Sequence, residues 1–136
     1  MTEHACVSFM LIKDGEILVE QRSMTKEHDA GLIAIPGGHM EPGENPEQTL
    51  IREMAEELEV APTDYRYLCT LYHLTTETQK IHYYVINGWE GTISAQEADE
   101  VYWRELSTAN LDIGSDRTAV NEYFRVIKTQ PDFFVA

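Results

Sequence analysis

Three glutamates, Glu53, Glu56 and Glu57, occupy relative positions i, i+3 and i+4, a spacing that places them on one face of a helix. Like charges at this spacing repel one another and weaken a helix unless a cation offsets them. The segment from residue 41 to residue 59 holds seven carboxylates and a single cation, Arg52. A glycine-rich turn leads into the segment, and carboxylate oxygens beside such a turn are natural ligands for Mg²⁺. The pattern predicts metal-assisted chemistry on a phosphate substrate.

The chain of 136 residues is long enough to form a hydrophobic core without disulfides, and we interpret residues 1–136 as a single domain. Its hydrophobic content of 43% and charged content of 25% are ordinary for a globular protein. The formal charge of −14 is not ordinary, and it argues against nucleic-acid polymers and membranes as partners. An acidic protein can still hold a polyphosphate when bound divalent ions reverse the local charge.

The two cysteines, Cys6 and Cys69, lie far apart and form no CxxC motif. We expect buried, reduced thiols in a cytoplasmic protein, with a single disulfide as the alternative. The N-terminal residues include no basic region, and no apolar run approaches the roughly 18 residues of a membrane span. We therefore expect neither a signal peptide nor a membrane span.

Apolar and β-branched residues predict a hairpin near the N-terminus. The continuous run Ala5–Ile12 suits a strand buried on both faces. Asp14-Gly15 signals a tight turn, after which Ile17–Arg22 forms the returning strand. Residues 23–31 are polar and indicate a loop. A short strand, Leu32–Ile35, is expected to stop at Pro36-Gly37-Gly38.

The next segment predicts a helix that carries the glutamates. Asn45 can cap it, Pro46 fits the first helical position, and Gln48 completes a capping box. The helix should continue to Glu57 or Leu58. Its expected core-facing stripe, with the glutamates on another face, is Leu50, Ile51, Met54, Ala55 and Leu58.

The second half of the chain predicts three more strands and a final helix. The strands are Tyr65–His73, Ile81–Trp89 and Val101–Leu106. Ser115 or Asp116 is expected to cap a helix that runs to about Lys128. This order of elements indicates an α/β (α+β) fold, in which helices pack on a mixed sheet.

The full pattern around the glutamates is Gly38-x5-Glu44-x7-Arg52-Glu53-Met54-x-Glu56-Glu57-x-x-Val60. It resembles the Nudix box, the signature of Nudix pyrophosphohydrolases. One position departs, because the family usually has Gly where this chain has Glu59. If that Gly ends the helix in a left-handed conformation, a non-glycine residue there costs about 1–2 kcal/mol. The departure affects the turn and not the carboxylates, which precede it.

The resemblance covers roughly residues 5 to 125 and includes the hairpin, Gln21-Arg22, the Ile35–Gly38 stretch and Trp103. It implies the Nudix fold, an α/β/α sandwich with a central mixed sheet. Residues 43–48 and 89–91 look most like the MutT type, which cleaves nucleoside triphosphates. The alternative, a merely solvated acidic helix face, explains neither the Pro-Gly-Gly turn nor the helix cap.

The resemblance implies a Mg²⁺ site, in which Mn²⁺ is a substitute. Its ligands would be the Gly38 carbonyl, Glu53, Glu56 and Glu57. Arg52 resembles the family arginine that orients the glutamates through a salt bridge. Glu44 would support the loop or reach an ion through water. The bound ion would neutralise phosphate charge and acidify a water.

The general base of such an enzyme is either a glutamate of the box or one on a loop nearer the C-terminus. Glu53 is the first candidate and Glu100 the second, with Glu97 and Asp99 as nearby competitors. For each of these acids the alternative is a solvated position. The expected catalytic set is Glu53, Glu56, Arg52 and Glu100.

Residues expected to contact substrate, by the same resemblance, are Arg22, His28, Ile35, Gly37 and Asn121. Arg22 could reach the terminal phosphates, with a surface salt bridge as the alternative. Asn121 falls near the position where MutT-type enzymes have an asparagine that reads an oxidised guanine base. Tyr72, Tyr84 and Trp103 could stack on a base, although strand aromatics more often belong to the core.

We therefore expect a Mg²⁺-dependent hydrolase that cleaves a nucleoside triphosphate, ordinary or oxidised, to the monophosphate and pyrophosphate. One alternative keeps the chemistry but acts on a nucleoside diphosphate linked to another group, such as ADP-ribose or a dinucleotide polyphosphate. An alternative of another class is a non-catalytic Nudix-fold module that binds nucleotides, which normally lacks box glutamates. The expected partner is a small nucleotide, and homodimerisation stays open.

Overall fold

The computed structural model describes residues 3–26, 29–96, 98 and 100–134. In chain order the elements are β1 (Glu3–Lys13), β2 (Glu16–Gln21), β3 (Ile33–Ala34), β4 (Gly37–His39), α1 (Pro46–Leu58), β5 (Ala61–Leu74), β6 (Thr78–Glu90), β7 (Glu100–Glu105), a short 3-10 helix (Leu106–Thr108) and α2 (Gly114–Thr129). Five strands follow the order β3-β2-β1-β6-β5, while β4 pairs with β1 and β7 with β2.

Strand β1 lies at the centre of the sheet, and its side chains from Cys6 to Ile12 are buried on both faces. It runs parallel to β6 over nine residue pairs, from Glu3 with Thr78 to Leu11 with Ile86. It runs antiparallel to β2 and β4. The sheet is therefore mixed, as the sequence predicted.

One helix covers each face of the sheet. On one face, α1 packs against the strands in an apolar cluster that includes Val7, Phe9, Leu11, Leu50 and Met54. On the other face, α2 packs in a cluster that includes Met10, Ile12, Tyr83, Ala119 and Tyr123. The expected sandwich, with a mixed sheet between two helical layers, is confirmed.

The Pro36-Gly37-Gly38 stretch does more than end a strand, which corrects the sequence prediction. Gly37–His39 forms the additional strand β4, antiparallel to β1. A Cβ on Gly37 would lie 2.3 Å from the carbonyl oxygen of Val7, and one on Gly38 would lie 2.2 Å from Cδ of Glu53. Only glycine permits this close approach, which brings β4 against both the sheet and the first glutamate of α1.

The start of α1 matches its prediction, whereas its buried face does not. Asn45 and Gln48 form the capping box, with bonds of 2.8 and 2.9 Å. Ile51 and Ala55, which the sequence assigned to the core, are exposed. The row Thr49, Glu53 and Glu57 is buried instead. Strand β4 packs against α1, with Gly38 against the Glu53 carboxylate, beside the row formed by Leu50, Met54 and Leu58.

Neither Ser115 nor Asp116 caps α2, so this expectation is wrong. The helix starts at Gly114, and its N-cap Ile113 makes no side-chain capping bond. The side chains of Ser115 and Asp116 are buried and bond the hydroxyl of Tyr83 at 2.9 and 2.7 Å. They are turned toward the sheet because Tyr83 offers a buried donor there.

Both cysteines are free thiols, with Cys6 buried and Cys69 only partly so. Burial raises the pKa of Cys6 to about 12 and that of Cys69 to about 11, which keeps both protonated at neutral pH. No helix within the described ranges is long and apolar enough to cross a membrane.

Helix α1 ends at Glu59, which has φ 60° and ψ 31° and is therefore left-handed. Its N–H bonds the carbonyl of Ala55 at 3.2 Å, which closes the last turn. The residue that departs from the Nudix pattern thus adopts the conformation in which glycine is least strained.

Replacing Glu59 by Gly should leave the free energy of unfolding unchanged or raise it by up to about 1 kcal/mol. The relieved left-handed strain, about 1–2 kcal/mol, outweighs the extra chain entropy of glycine, about 0.5–1 kcal/mol. Thermal unfolding followed by circular dichroism measures the change. Glu59→Ala, which removes the charge but keeps a Cβ, is the control and should not gain stability. A clear fall in Tm for Glu59→Gly would show that the turn is assigned wrongly.

Candidate active site

One cavity of about 400 Å³ collects most of the predicted site residues. Helix α1 supplies its acidic wall, and Ile35, Ile81 and Ile113 contribute an aliphatic wall. The predicted residues that line it are Arg22, Ile35, Gly37, Gly38, Arg52, Glu53, Glu56 and Glu57. The cavity is thus suited to a ligand that has a charged part and an apolar part.

Arg52 holds the carboxylates of the acidic wall together. Its guanidinium donates to Glu44 at 2.7 and 2.9 Å, to Glu53 at 2.9 Å and to Glu56 at 3.0 Å. It also donates to the carbonyl of His39 in β4, at 3.0 Å. Hydrogen bonds to Glu44 above all raise the pKa of Arg52 still further above its ordinary value. One permanent cation therefore offsets the repulsion between aligned glutamates.

Glu44 braces the loop that leads into α1. Besides the two bonds from Arg52, its carboxylate accepts from the backbone N–H of Glu41 and the hydroxyl of Thr49, each at 2.8 Å. The bond from Arg52 is the main reason why the pKa of Glu44 falls to about 2. Glu44 is consequently ionised at any physiological pH and fixes the loop to the first turns of the helix.

The same wall offers a set of hard oxygen donors. Glu53 and Glu57 are 8% and 9% exposed, and Gly38 lies against the Glu53 carboxylate. Glu56 is the accessible member, with half of its side chain exposed. Carboxylate and backbone carbonyl oxygens are the ligands that Mg²⁺ and Mn²⁺ prefer. The donor set therefore fits such an ion in its chemistry.

Three of the carboxylates, those of Glu44, Glu53 and Glu56, are arranged around Arg52. Among the described residues, no three His, Cys, Asp or Glu side chains form a cage for a metal ion. Glu53 and Glu56 instead direct oxygens to Nη1 of Arg52. Arg52 thus holds Glu53 and Glu56 beside the cavity, each through one carboxylate oxygen.

Arg22 and Lys26 bring positive charge to the cavity. Arg22 donates from Nη1 to Glu20 at 3.2 Å, and Glu20 is only 4% exposed. Burial raises the pKa of Glu20 to about 7. Arg22 thus has a buried strand residue among its partners.

His73 and Asp29 are two further lining residues that the sequence did not indicate. Nε2 of His73, in β5, lies 3.0 Å from Oδ2 of Asp29, in the loop after β2. This contact joins the loop that carries Lys26 to the edge strand of the sheet.

Asp116 also lines the cavity, although sequence reasoning considered it only as a helix cap. It is 2% exposed, and its carboxylate accepts from the backbone N–H of Ile35 at 3.0 Å and from Tyr83 at 2.7 Å. Burial raises its pKa to about 6. An Asp near a helix start is so commonly a cap that the sequence alone holds no signal for this role.

Glu100 and Asn121 lie outside the cavity lining. Glu100 is the exposed first residue of β7 and pairs with Gln21. Asn121 is exposed on α2 and borders a different surface depression, beside Tyr72. The predicted contact residue His28 lies outside the described residues, as do the competing acids Glu97 and Asp99.

The three aromatic residues considered for base stacking do not line the cavity either. Tyr84 belongs to the apolar cluster beneath α1, and Trp103 stacks on Trp89 with ring centroids 5.9 Å apart. Tyr72 is exposed on β5. The core alternative therefore holds for Tyr84, and for Trp103 as a residue packed against the same cluster.

The NUDIX domain model matches residues 2–127. The chain belongs to the Nudix family. It is 32% identical over 100 residues to the CTP pyrophosphohydrolase of Escherichia coli (strain K12), covering 71% of this chain and 72% of that protein. It is 29% identical over 101 residues to the 8-oxo-dGTP diphosphatase of the same organism, covering 74% and 78%.

The structure of a MutT NUDIX hydrolase from Burkholderia pseudomallei is similar with a TM-score of 0.81 at 22% identity, covering 90% of this chain and 98% of that one. This likeness shows the shared fold. As a Nudix protein of MutT-like type, the chain is a phosphoanhydride hydrolase that acts on small nucleotides. Nudix hydrolases generally need a divalent metal ion.

The Asp116 contribution to stability should depend on pH. Because its pKa rises from an ordinary value of 3.8 to about 6 on folding, the folded state binds more protons than the unfolded state between these values. Its contribution to the free energy of unfolding must therefore fall as pH rises from about 4 to about 6. Asp116→Asn cannot ionise, so its stability should change less over this range. Urea unfolding of both proteins at several pH values tests this, and parallel curves would contradict it.

Proposed function

We propose that this Nudix enzyme cleaves a nucleoside triphosphate to the monophosphate and pyrophosphate, with Mg²⁺ as the physiological ion and residues 1–136 acting as one domain. The observation that carries the proposal is that one cavity is lined by the acidic wall of α1 together with Arg22, Lys26 and an aliphatic wall. The matches to a CTP pyrophosphohydrolase and an 8-oxo-dGTP diphosphatase support the triphosphate class.

The metal ligands in this proposal are Glu53, Glu56, Glu57 and the carbonyl of Gly38. Mg²⁺ bound there supplies charge neutralisation on the phosphate oxygens and a more acidic water. The burial of Glu53 and Glu57, and the close approach of Gly38 to Glu53, support this set because they give the donors fixed positions. Arg52 orients Glu53 and Glu56 through a hydrogen bond to each.

Glu53 is our candidate for the base that takes the proton from the attacking water. It lies within the cavity, held by Arg52 through one carboxylate oxygen, and it is nearly buried. Glu100, the other candidate, is exposed and outside the cavity lining. A general base must lie within hydrogen-bonding reach of the water it activates, so position favours Glu53.

The rest of the cavity suits the remainder of a nucleotide. Arg22, held by Glu20, and Lys26 are the cations available to the phosphates. Ile35, Ile81 and Ile113 offer the apolar surface that a base requires. Asp116, at the end of this surface, presents buried oxygens that can accept from a base amino group. Asn121 lies outside this cavity, so we assign it no part in base recognition.

Replacing Glu57 by Gln should lower turnover by at least about 100-fold, because the variant loses a charged ligand for the ion. Glu53→Gln and Glu56→Gln should show losses of similar size. Glu59→Gln, an exposed position two residues after Glu57, is the matched control and should keep full activity. Initial rates at saturating Mg²⁺ measure the effect. Near-full activity of Glu57→Gln would remove this residue from the ligand set.

A panel of substrates decides which nucleotide class is cleaved. We expect pyrophosphate release from nucleoside triphosphates with Mg²⁺ and none with EDTA. The panel should contain CTP, dGTP and 8-oxo-dGTP, and also ADP-ribose and a dinucleotide polyphosphate. Cleavage confined to the last two compounds would overturn the triphosphate class while keeping the chemistry. Binding without cleavage of any member would contradict hydrolysis by this site.

A further inference from the structure

Strand β4 carries the backbone part of the proposed ion site but has little packing of its own. It contains three residues, Gly37, Gly38 and His39, and its glycines contribute no side chains. Its register on β1 rests on pairs with Ser8, Val7 and Cys6. A strand this short and this poor in side chains needs other contacts to hold its carbonyl groups in place.

A single carboxylate, Glu77, supplies such a contact. Glu77 lies in the turn between β5 and β6, outside the Nudix box. Its Oε1 lies 2.8 Å from Nε2 of His39, and its Oε2 lies 2.9 Å from Nε2 of His4 in β1. Glu77 thereby joins the last residue of β4, His39, to the start of β1 at His4.

The carboxylate of Glu77 is more buried than the two imidazoles that it contacts, those of His4 and His39. The Glu77 side chain is 12% exposed, whereas those of His4 and His39 are 43% and 49% exposed. The two rings meet edge to face with centroids 6.1 Å apart. Gln79, which lines the cavity, donates to Glu77 Oε1 at 3.3 Å. The turn is itself braced, since Thr75 N–H bonds the Glu77 carbonyl at 2.8 Å.

A continuous series of contacts leads from Glu77 to the acidic wall. The carbonyl of His39 accepts from Nη2 of Arg52 at 3.0 Å, and Arg52 holds Glu53 and Glu56. The preceding residue, Gly38, touches the Glu53 carboxylate. A shift of His39 would therefore move both the Gly38 carbonyl and the anchor of Arg52 relative to α1.

We propose that Glu77 is a positioning residue that fixes β4, through His39, in the place where the Gly38 carbonyl and the α1 glutamates can share one divalent ion. The inference rests on the proposed function of this site and adds a residue outside the Nudix box to it. Residues that orient metal ligands typically contribute about 10- to 100-fold in metal affinity or activity.

The test is Mn²⁺ binding by the protein of residues 1–136, followed through the electron paramagnetic resonance signal of free Mn²⁺. Glu77→Gln keeps the size of the side chain but can accept from only one imidazole, and we expect Mn²⁺ to bind about 10-fold more weakly. His39→Asn removes the contact from the other side without changing a carboxylate, and should weaken binding similarly. Glu90→Gln, an exposed acid at the far end of β6, controls for the loss of one negative charge.

Glu77→Asp separates position from charge. Aspartate keeps the charge but is one methylene shorter, so it cannot reach both imidazoles. If Glu77 acts by position, Glu77→Asp should bind Mn²⁺ as weakly as Glu77→Gln. Wild-type affinity in Glu77→Asp would mean that only its charge attracts the ion, and would overturn the proposal. Unchanged affinity in His39→Asn would overturn it as well.

Turnover gives a readout that simple destabilisation would not produce. If Glu77 tunes ion affinity, raising the Mg²⁺ concentration should restore most of the rate that Glu77→Gln loses at low Mg²⁺, at a temperature well below its Tm. A rate that Mg²⁺ does not restore would contradict a positioning role. Failure of the wild-type protein itself to bind Mn²⁺ would instead disprove the proposed function of the site.

Discussion

The charge balance around Arg52 is the constraint on which the site depends. Its guanidinium donates four hydrogen bonds to the carboxylates of Glu44, Glu53 and Glu56. It donates a fifth to the backbone of β4. Without this cation, Glu53, Glu56 and Glu57 would repel one another along a helix that must stay folded. With it, a positive charge lies between the carboxylates and holds Glu53 and Glu56 in place by hydrogen bonds. A protein with a net charge of −14 can then hold an anionic substrate.

The fold buries two of these glutamates, Glu53 and Glu57, instead of leaving them in solvent. Thr49, Glu53 and Glu57 are buried beside the apolar row of α1, and β4 brings Gly38 against the Glu53 carboxylate. Burial of a carboxylate is costly unless charged or hydrogen-bonding partners offset it. Here Arg52 and a strand without side chains at positions 37 and 38 make that burial tolerable. The glycines of the turn are thus as necessary as the glutamates.

Local signals explain which parts of this arrangement could be predicted from sequence. Asn45 with Gln48 marks the start of α1, Asp14-Gly15 marks the hairpin, and the Nudix pattern indicates the acidic wall. The errors concern contacts between distant segments. Periodicity assigned Ile51 and Ala55 to the core because it takes no account of β4, which pairs with the distant strand β1. Asp116 resembled a cap because its partners, Tyr83 and Ile35, are at least 33 residues away.

The segment from Ile35 to His39 shows how such distant contacts complete a local motif. At one end, the buried Asp116 of α2 accepts from the N–H of Ile35, and at the other, Glu77 binds the imidazole of His39. Both carboxylates lie outside the Nudix box, and each ties the segment to a different layer of the fold. A glycine pair cannot hold its own position by side-chain packing, so the precision of its carbonyl groups must come from its neighbours. The motif therefore indicates the chemistry, while residues outside it contact both ends of the segment that carries the glycine carbonyls.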